Sequence, residues 1–240
     1  MKKNKTNLDN GDVLLLSENS SFIMKEDYKT LRTNISFSFS DTDPKVIAVT
    51  SALRAEGKST NSINLAISYA QIGAKTLLID SDMRLPTISA KLGITSKKGL
   101  SDVLVGESDI DNAIVRNTKH GIDILTAGML PPDPTKLLNS DNVKLMIQHL
   151  KDEYDIIIVD CPPVNLVVDA VLWSAVADGF VLVVRDNITR HKDIVEMLVQ
   201  LEKGNANILG IVYVNTSSVG GKKNYGYGKY NKKYYYYSYK

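Results

Sequence analysis

Three short stretches gather residue types suited to holding phosphate. SALRAEGKST, from Ser51, ends in Gly57, Lys58, Ser59 and Thr60, the second half of a G-x-x-x-x-G-K-[ST] loop, with Ala52 where the first glycine would stand. LLIDSDMR carries Asp80 and Asp82, and IIIVDCPP ends an apolar run at Asp160. In such a loop the backbone N–H groups, here from Ala55 through Glu56 and Gly57 to Thr60, can wrap a triphosphate at a helix N-terminus. A lysine at position 58 reaches the β and γ oxygens, and the Ser59 hydroxyl can ligate magnesium. A carboxylate at position 160 costs several kcal/mol to desolvate unless it meets a cation, donors or water. Magnesium and its waters fit that need.

Such residues need a frame that brings them together. KVIAVT (45–50), KTLLID (75–80), GIDILTAG (121–128), YDIIIVD (154–160), GFVLVV (179–184) and ILGIVYVN (208–215) read as strands, and the last three look buried on both faces. Helical patterns separate them at 59–72, 142–151, 168–177 and 189–203. This alternation predicts an α/β fold: a doubly wound, mainly parallel sheet flanked by helices, of the P-loop NTPase type. Loop 52–59 then falls directly between a strand and a helix, and Asp80, Asp82 and Asp160 fall at the carboxyl ends of strands, where open sheets gather ligands. Ahead of the first strand, Tyr28, Leu31 and Ile35 form one apolar helical face, while Glu26, Lys29 and Arg32 share much of the opposite one, which by itself reads as a solvated surface.

The chain of 240 residues, 43% hydrophobic and 23% charged, suits one α/β core. Its one cysteine, Cys161, cannot form an internal disulfide, and no apolar run reaches the roughly 20 residues of a spanning helix. No C-x5-R follows Cys161, because Val167 stands at that place, so it is not a phosphatase nucleophile. His120, His149 and His191 lack ligand spacing and read as surface residues; Trp173 reads as helix packing.

Charge is divided unevenly. From Thr216 to Lys240 there are six lysines and no acid, so this tail carries +6 within a chain of net +2, and the preceding 215 residues carry −4. The tail also holds Tyr225, Tyr227, Tyr230, Tyr234, Tyr235, Tyr236, Tyr237 and Tyr239. By itself it suits a substrate segment, a single-strand nucleic-acid contact or a disordered end. The expected layout is a flexible segment 1–20, a P-loop domain 21–215 with its first helix at about 25–39, and a disordered tyrosine-rich tail 216–240.

SALRAEGKST, LLIDSDMRLPT, TAGMLPPDPTKLL and DIIIVDCPPVNLVVDA together resemble the bacterial tyrosine kinases of capsule and exopolysaccharide synthesis, members of the deviant P-loop class that includes partitioning and division-site ATPases. The resemblance runs from about Glu26 to Asn215. It implies that ATP and magnesium are bound, with Asp80 helping to deprotonate the incoming phenol, Asp82 working near the metal beside Asp160, and Asn215 contacting adenine. EDYKTLR matches a Glu-x-x-Arg-x-x-Arg interface helix, with Lys29 in place of an arginine, which implies a ring of copies held through Glu26, Lys29 and Arg32. Lysine cannot make the bidentate contacts of arginine. The signature lysine of the partitioning ATPases is replaced by Leu53.

Tyrosine, with a pKa of about 10, needs a proton acceptor. Attached to such a domain, the eight tail phenols read as phosphoacceptors, each entering a neighbour's site. Each phosphate adds about −1.5 to −2, so four modifications cancel the +6 that draws the tail to an acidic body. The resemblance further implies a membrane-protein activator with a cytosolic docking segment, recruitment from the cytoplasm to the inner membrane face, a cognate phosphatase and other protein substrates. The alternatives are a positioning ATPase whose output is hydrolysis, and a nucleotide-controlled nucleic-acid tether.

Overall fold

The computed structural model describes residues 15–39 and 45–214. In chain order the elements are α1 (Phe22–Ser36), β1 (Lys45–Ser51), α2 (Lys58–Ala70), β2 (Thr76–Asp80), α3 (Ile88–Leu92), α4 (Leu100–Leu104), α5 (Ile110–Ala113), β3 (Ile114–Val115), β4 (Asp123–Leu125), α6 (Pro134–Leu138), α7 (Asp141–Glu153), β5 (Ile156–Asp160), α8 (Asp169–Leu172), β6 (Gly179–Arg185), α9 (His191–Lys203) and β7 (Ile208–Val214), with a 3-10 turn at Trp173–Ala175.

Seven strands form one sheet in the order β3-β4-β2-β5-β1-β6-β7, parallel throughout except for the antiparallel β3–β4 edge. The β-branched runs of β1, β2 and β5 lie at its centre because both their faces are covered. Alternation sends Val46, Ala48, Leu77, Ile79, Ile157 and Val159 into the layer beneath α7, α8 and α9. Ile47, Val49, Leu78, Ile156 and Ile158 enter the layer beneath α1 and α2.

The mainly parallel doubly wound frame is the one the sequence predicts, with several local differences. β7, expected to be buried on both faces, is an edge strand: Ile211 and Tyr213 are 54% and 60% exposed, because among the described residues β6 is its only sheet neighbour. β4 is shorter than the expected 121–128, and the helix expected at 168–177 ends as α-helix at Leu172 before continuing as a 3-10 turn. α1 begins three residues earlier and ends three earlier than 25–39. Within the segment expected to be flexible, Leu16 is buried and its N–H bonds Asn64 Oδ1 at 2.8 Å, so packing starts ahead of residue 21. Among the described residues no helix is long and apolar enough to cross a membrane.

Candidate active site

Asp160 lies in register with Asp80 on one side and with Val49 on the other, because β5 sits between β2 and β1. That single insertion brings the two acidic stretches and the loop after β1 to one end of the sheet. The loop leaves β1 and turns into α2 at Gly57, whose φ of +95° only glycine adopts without strain. Ala55 is also left-handed, at φ +63°, a conformation that costs a non-glycine residue on the order of 1 kcal/mol. Left-handed residues in such a loop favour a concavity of backbone N–H groups that suits an anion, and the first turn of α2 adds its own donors.

The strain is held from outside the loop. Glu56, wholly buried, accepts the N–H of Leu53 at 2.6 Å and the hydroxyl of Thr189. Arg185 Nη1 donates to the Ala55 carbonyl at 2.8 Å. The carboxylate of Glu56 is thus a strut of the loop, a role beyond the backbone contact expected for it; its place inside a phosphate loop gave no separate signal in the sequence.

Lys58 stands at the centre of the site. Its Nζ is 3.1 Å from Asp82 Oδ2 and 3.5 Å from Asp160 Oδ2. Burial works against its charge, but Asp160 and Asp82 outweigh it, leaving the Lys58 pKa above its ordinary value. Asp160, wholly buried, is pushed up by desolvation and held back by Lys58, Ser59 and Ser62, the last donating to Oδ1 at 2.9 Å. Asp80 is raised to about 7 by burial first and by the nearby Asp160 second. Its Oδ2 accepts the N–H groups of Thr87 at 3.2 Å and Ile88 at 3.1 Å, and its Oδ1 that of Asp82 at 3.2 Å.

A cleft of about 290 Å³ opens over these groups, lined by Lys58, Ser59, Thr60, Asp82, Leu85 and Pro162 among others. Asp82 faces it; Asp80 lies beneath. Asp82 pairs with Lys58, and Arg84 pairs with Asp169. A second hollow, reaching from Gly57, Thr60 and Arg185 to Val214, runs up to the strand end that precedes Asn215. Asn215 and the eight tail tyrosines lie outside the described residues.

Magnesium fits the donors present. Asp160 Oδ2 is buried without a hydrogen-bond partner, beside the Ser59 hydroxyl and near Asp82. Among the described residues no group of three or more acids, histidines or cysteines forms a ready metal cage. Magnesium needs none, since it keeps several waters and is completed by phosphate oxygens.

Glu26 and Lys29 form an exposed pair at 3.4 Å on α1. Arg32 is tied to α2, Nη1 donating to the Ser68 carbonyl and, at 3.1 Å, to its hydroxyl. The three residues expected to share one interface therefore divide between surface and intramolecular contact. His149 and His191 are exposed, as expected; His120 is half-buried with Nε2 enclosed and unpartnered, a departure from the surface position expected. Cys161 is fully buried, and burial holds its thiol pKa far above the ordinary value.

Sheet order, loop and converging acids define a P-loop nucleotide-binding protein. Residues 44–203 match the AAA domain family. Over 227 residues, 95% of each chain, the sequence is 35% identical to the tyrosine-protein kinase YwqD of Bacillus subtilis. It is 38% identical to the tyrosine-protein kinase CpsD of Streptococcus agalactiae over 212 residues, 87% of this chain and 92% of that one. The kinase domain of the Escherichia coli tyrosine kinase ETK superposes with a TM-score of 0.77 at 30% identity, over 85% of this chain and 80% of that one. The chain belongs to the bacterial tyrosine-protein kinases, and phosphoryl transfer to tyrosine is the activity of the family.

Proposed function

We propose that this chain phosphorylates the tyrosines of its own C-terminal tail, one copy serving as substrate of another, and that the cycle of modification controls capsule or exopolysaccharide synthesis and export. The observation that carries this reading is Lys58, held between Asp82 and Asp160 at the N-terminus of α2, with Asp80 in register beside Asp160. The backbone from Ala55 to Thr60 holds the triphosphate of ATP, and Lys58 exchanges its carboxylate partners for the β and γ oxygens. Ser59, Asp82 and Asp160 hold magnesium, which when bound offsets the charge of the phosphates. Asp80, with a proton affinity raised toward neutrality, takes the phenol proton; an acceptor with a pKa near the working pH serves best.

Asn215 contacts the base, and Tyr225, Tyr227, Tyr230, Tyr234, Tyr235, Tyr236, Tyr237 and Tyr239 are the acceptors. Copies assemble into a ring through α1, where the exposed Glu26–Lys29 pair faces a neighbour and Arg32 fixes α1 on α2. A membrane protein with a cytosolic docking segment activates the kinase and recruits it from the cytoplasm to the inner membrane face; a tyrosine phosphatase resets the tail. The test is phosphotyrosine formation with magnesium-ATP, with mass spectrometry of the tail from protein produced with and without a candidate activator. Tail phosphotyrosine that disappears in Lys58→Met supports the reading; ATP turnover with no phosphotyrosine under either condition would mean a positioning ATPase instead.

A further inference from the structure

Three stretches that the sequence marks but the chemistry above does not use, Arg84 in LLIDSDMRLPT, Thr135 in PPDPTKLL and Asp169 in VNLVVDA, meet at one place. Arg84 Nε donates to Asp169 Oδ2 at 2.8 Å and its Nη2 to Asp169 Oδ1 at 3.3 Å and Thr135 Oγ1 at 2.9 Å. Thr135 Oγ1 in turn donates to Asp169 Oδ1 at 2.7 Å. Asp169 is 1% exposed, so its charge is met by this fork and hydroxyl in place of water.

The turn that Arg84 anchors carries the acids' own supports. Leu85 N–H donates to Asp82 Oδ1 at 3.0 Å, and Thr87 and Ile88 give their N–H groups to Asp80. The same helical segment grips the acidic stretch a second time, through Trp173 Nε1 on Ser81 Oγ at 2.7 Å. We propose that Arg84 is a positioning residue: fixed by Asp169 and Thr135, it holds the turn 82–88 so that Asp80 and Asp82 keep the orientation the transfer needs. This rests on the kinase reading for its kinetic consequence, but its structural consequence stands by itself.

Hydrogen exchange of the full chain, followed by mass spectrometry, tests the structural part. Arg84→Gln and Thr135→Val speed exchange of the amides at 85, 87 and 88 by about tenfold or more; the global melting temperature stays near that of wild type in Thr135→Val and falls in Arg84→Gln, where buried Asp169 loses its cation, and Thr135→Ser restores protection. In phosphotyrosine assays both variants lower kcat by about tenfold to a hundredfold, as displacement on the scale of 1 Å does, with KM for ATP within about twofold. The double variant falls no further than the worse single one. Unchanged exchange at 85–88 in Thr135→Val overturns the proposal. So does a raised KM for ATP in Arg84→Gln alone, which would make Arg84 a phosphate ligand. A wild-type chain without phosphotyrosine would sink the kinase reading, and the exchange result would still decide this one.

Discussion

Trp173 donates its indole N–H to Ser81 Oγ over 2.7 Å, which sets the one tryptophan of the chain against the residue between Asp80 and Asp82. Its emission therefore reports on the acidic stretch. Titration with magnesium-ATP is expected to change that emission in step with nucleotide binding measured independently. Tight binding with an unaltered spectrum would show that the stretch does not respond to the nucleotide.

Lys58→Met leaves Asp82 and Asp160 without their shared cation, so nucleotide binding and phosphotyrosine formation are both lost. Asp80→Asn and Asp82→Asn separate the two acids: the first should lower kcat by a factor of about 10²–10⁴ with ATP binding retained, the range for a positioned proton acceptor. The second should weaken the magnesium dependence. If these two phenotypes are exchanged, the cleft-facing Asp82 is the proton acceptor.

Glu56→Ala strips the acceptor from the half-buried Leu53 N–H and Thr189 hydroxyl, each bond worth about 1 kcal/mol. Denaturant unfolding should show that loss, and KM for ATP should rise because Ala55 loses a fixed neighbour. Stability within experimental error of wild type would remove Glu56 from its role as strut.

At the far edge of the sheet, Arg116 binds Glu153, Tyr154 Oη at 3.0 Å and Asp111 at 2.7 Å, closing the short β3 against β4 and α7. The Arg116 hydrogen bond holds Glu153 below its ordinary 4.5. A depressed carboxylate contributes stability that is full above its unfolded pKa and lost as pH falls through its folded one. Arg116→Ala should cost about 1–2 kcal/mol at neutral pH after allowance for solvent screening, and progressively less below about pH 4.5. A cost that stays constant down to pH 3 would mean that packing, not charge, is lost.

Cys161, buried beside Asp160, should resist alkylation at neutral pH by about 100-fold or more relative to the unfolded chain. Rapid modification of the folded protein, followed by mass spectrometry, would contradict its enclosure.

The central strands were legible because β1, β2 and β5 each carry an unbroken apolar run (46–49, 77–79 and 156–159) and end in polar groups that need a partner, so pattern and chemistry pointed the same way. β7 is as apolar as β6 in sequence, yet its exposure follows from its place at the edge, which composition does not encode. The short helices α3 to α6 span only four or five residues each, too few for a period to show. Lys58 and the three aspartates were recognisable from motif position. The Glu56 carboxylate and Asp169 were not assigned roles, because a buried acid whose partners lie 133 or 85 residues away looks in sequence like any surface charge.

The insertion of β5 between β1 and β2 has a consequence for the life of the molecule. While the chain is being synthesised, the first two site strands are complete by residue 80, yet no working centre can exist until residue 160 has emerged and its strand has slotted between them. A site built this way cannot be assembled from the first two strands alone; its competence waits on the arrival of the strand that comes between them.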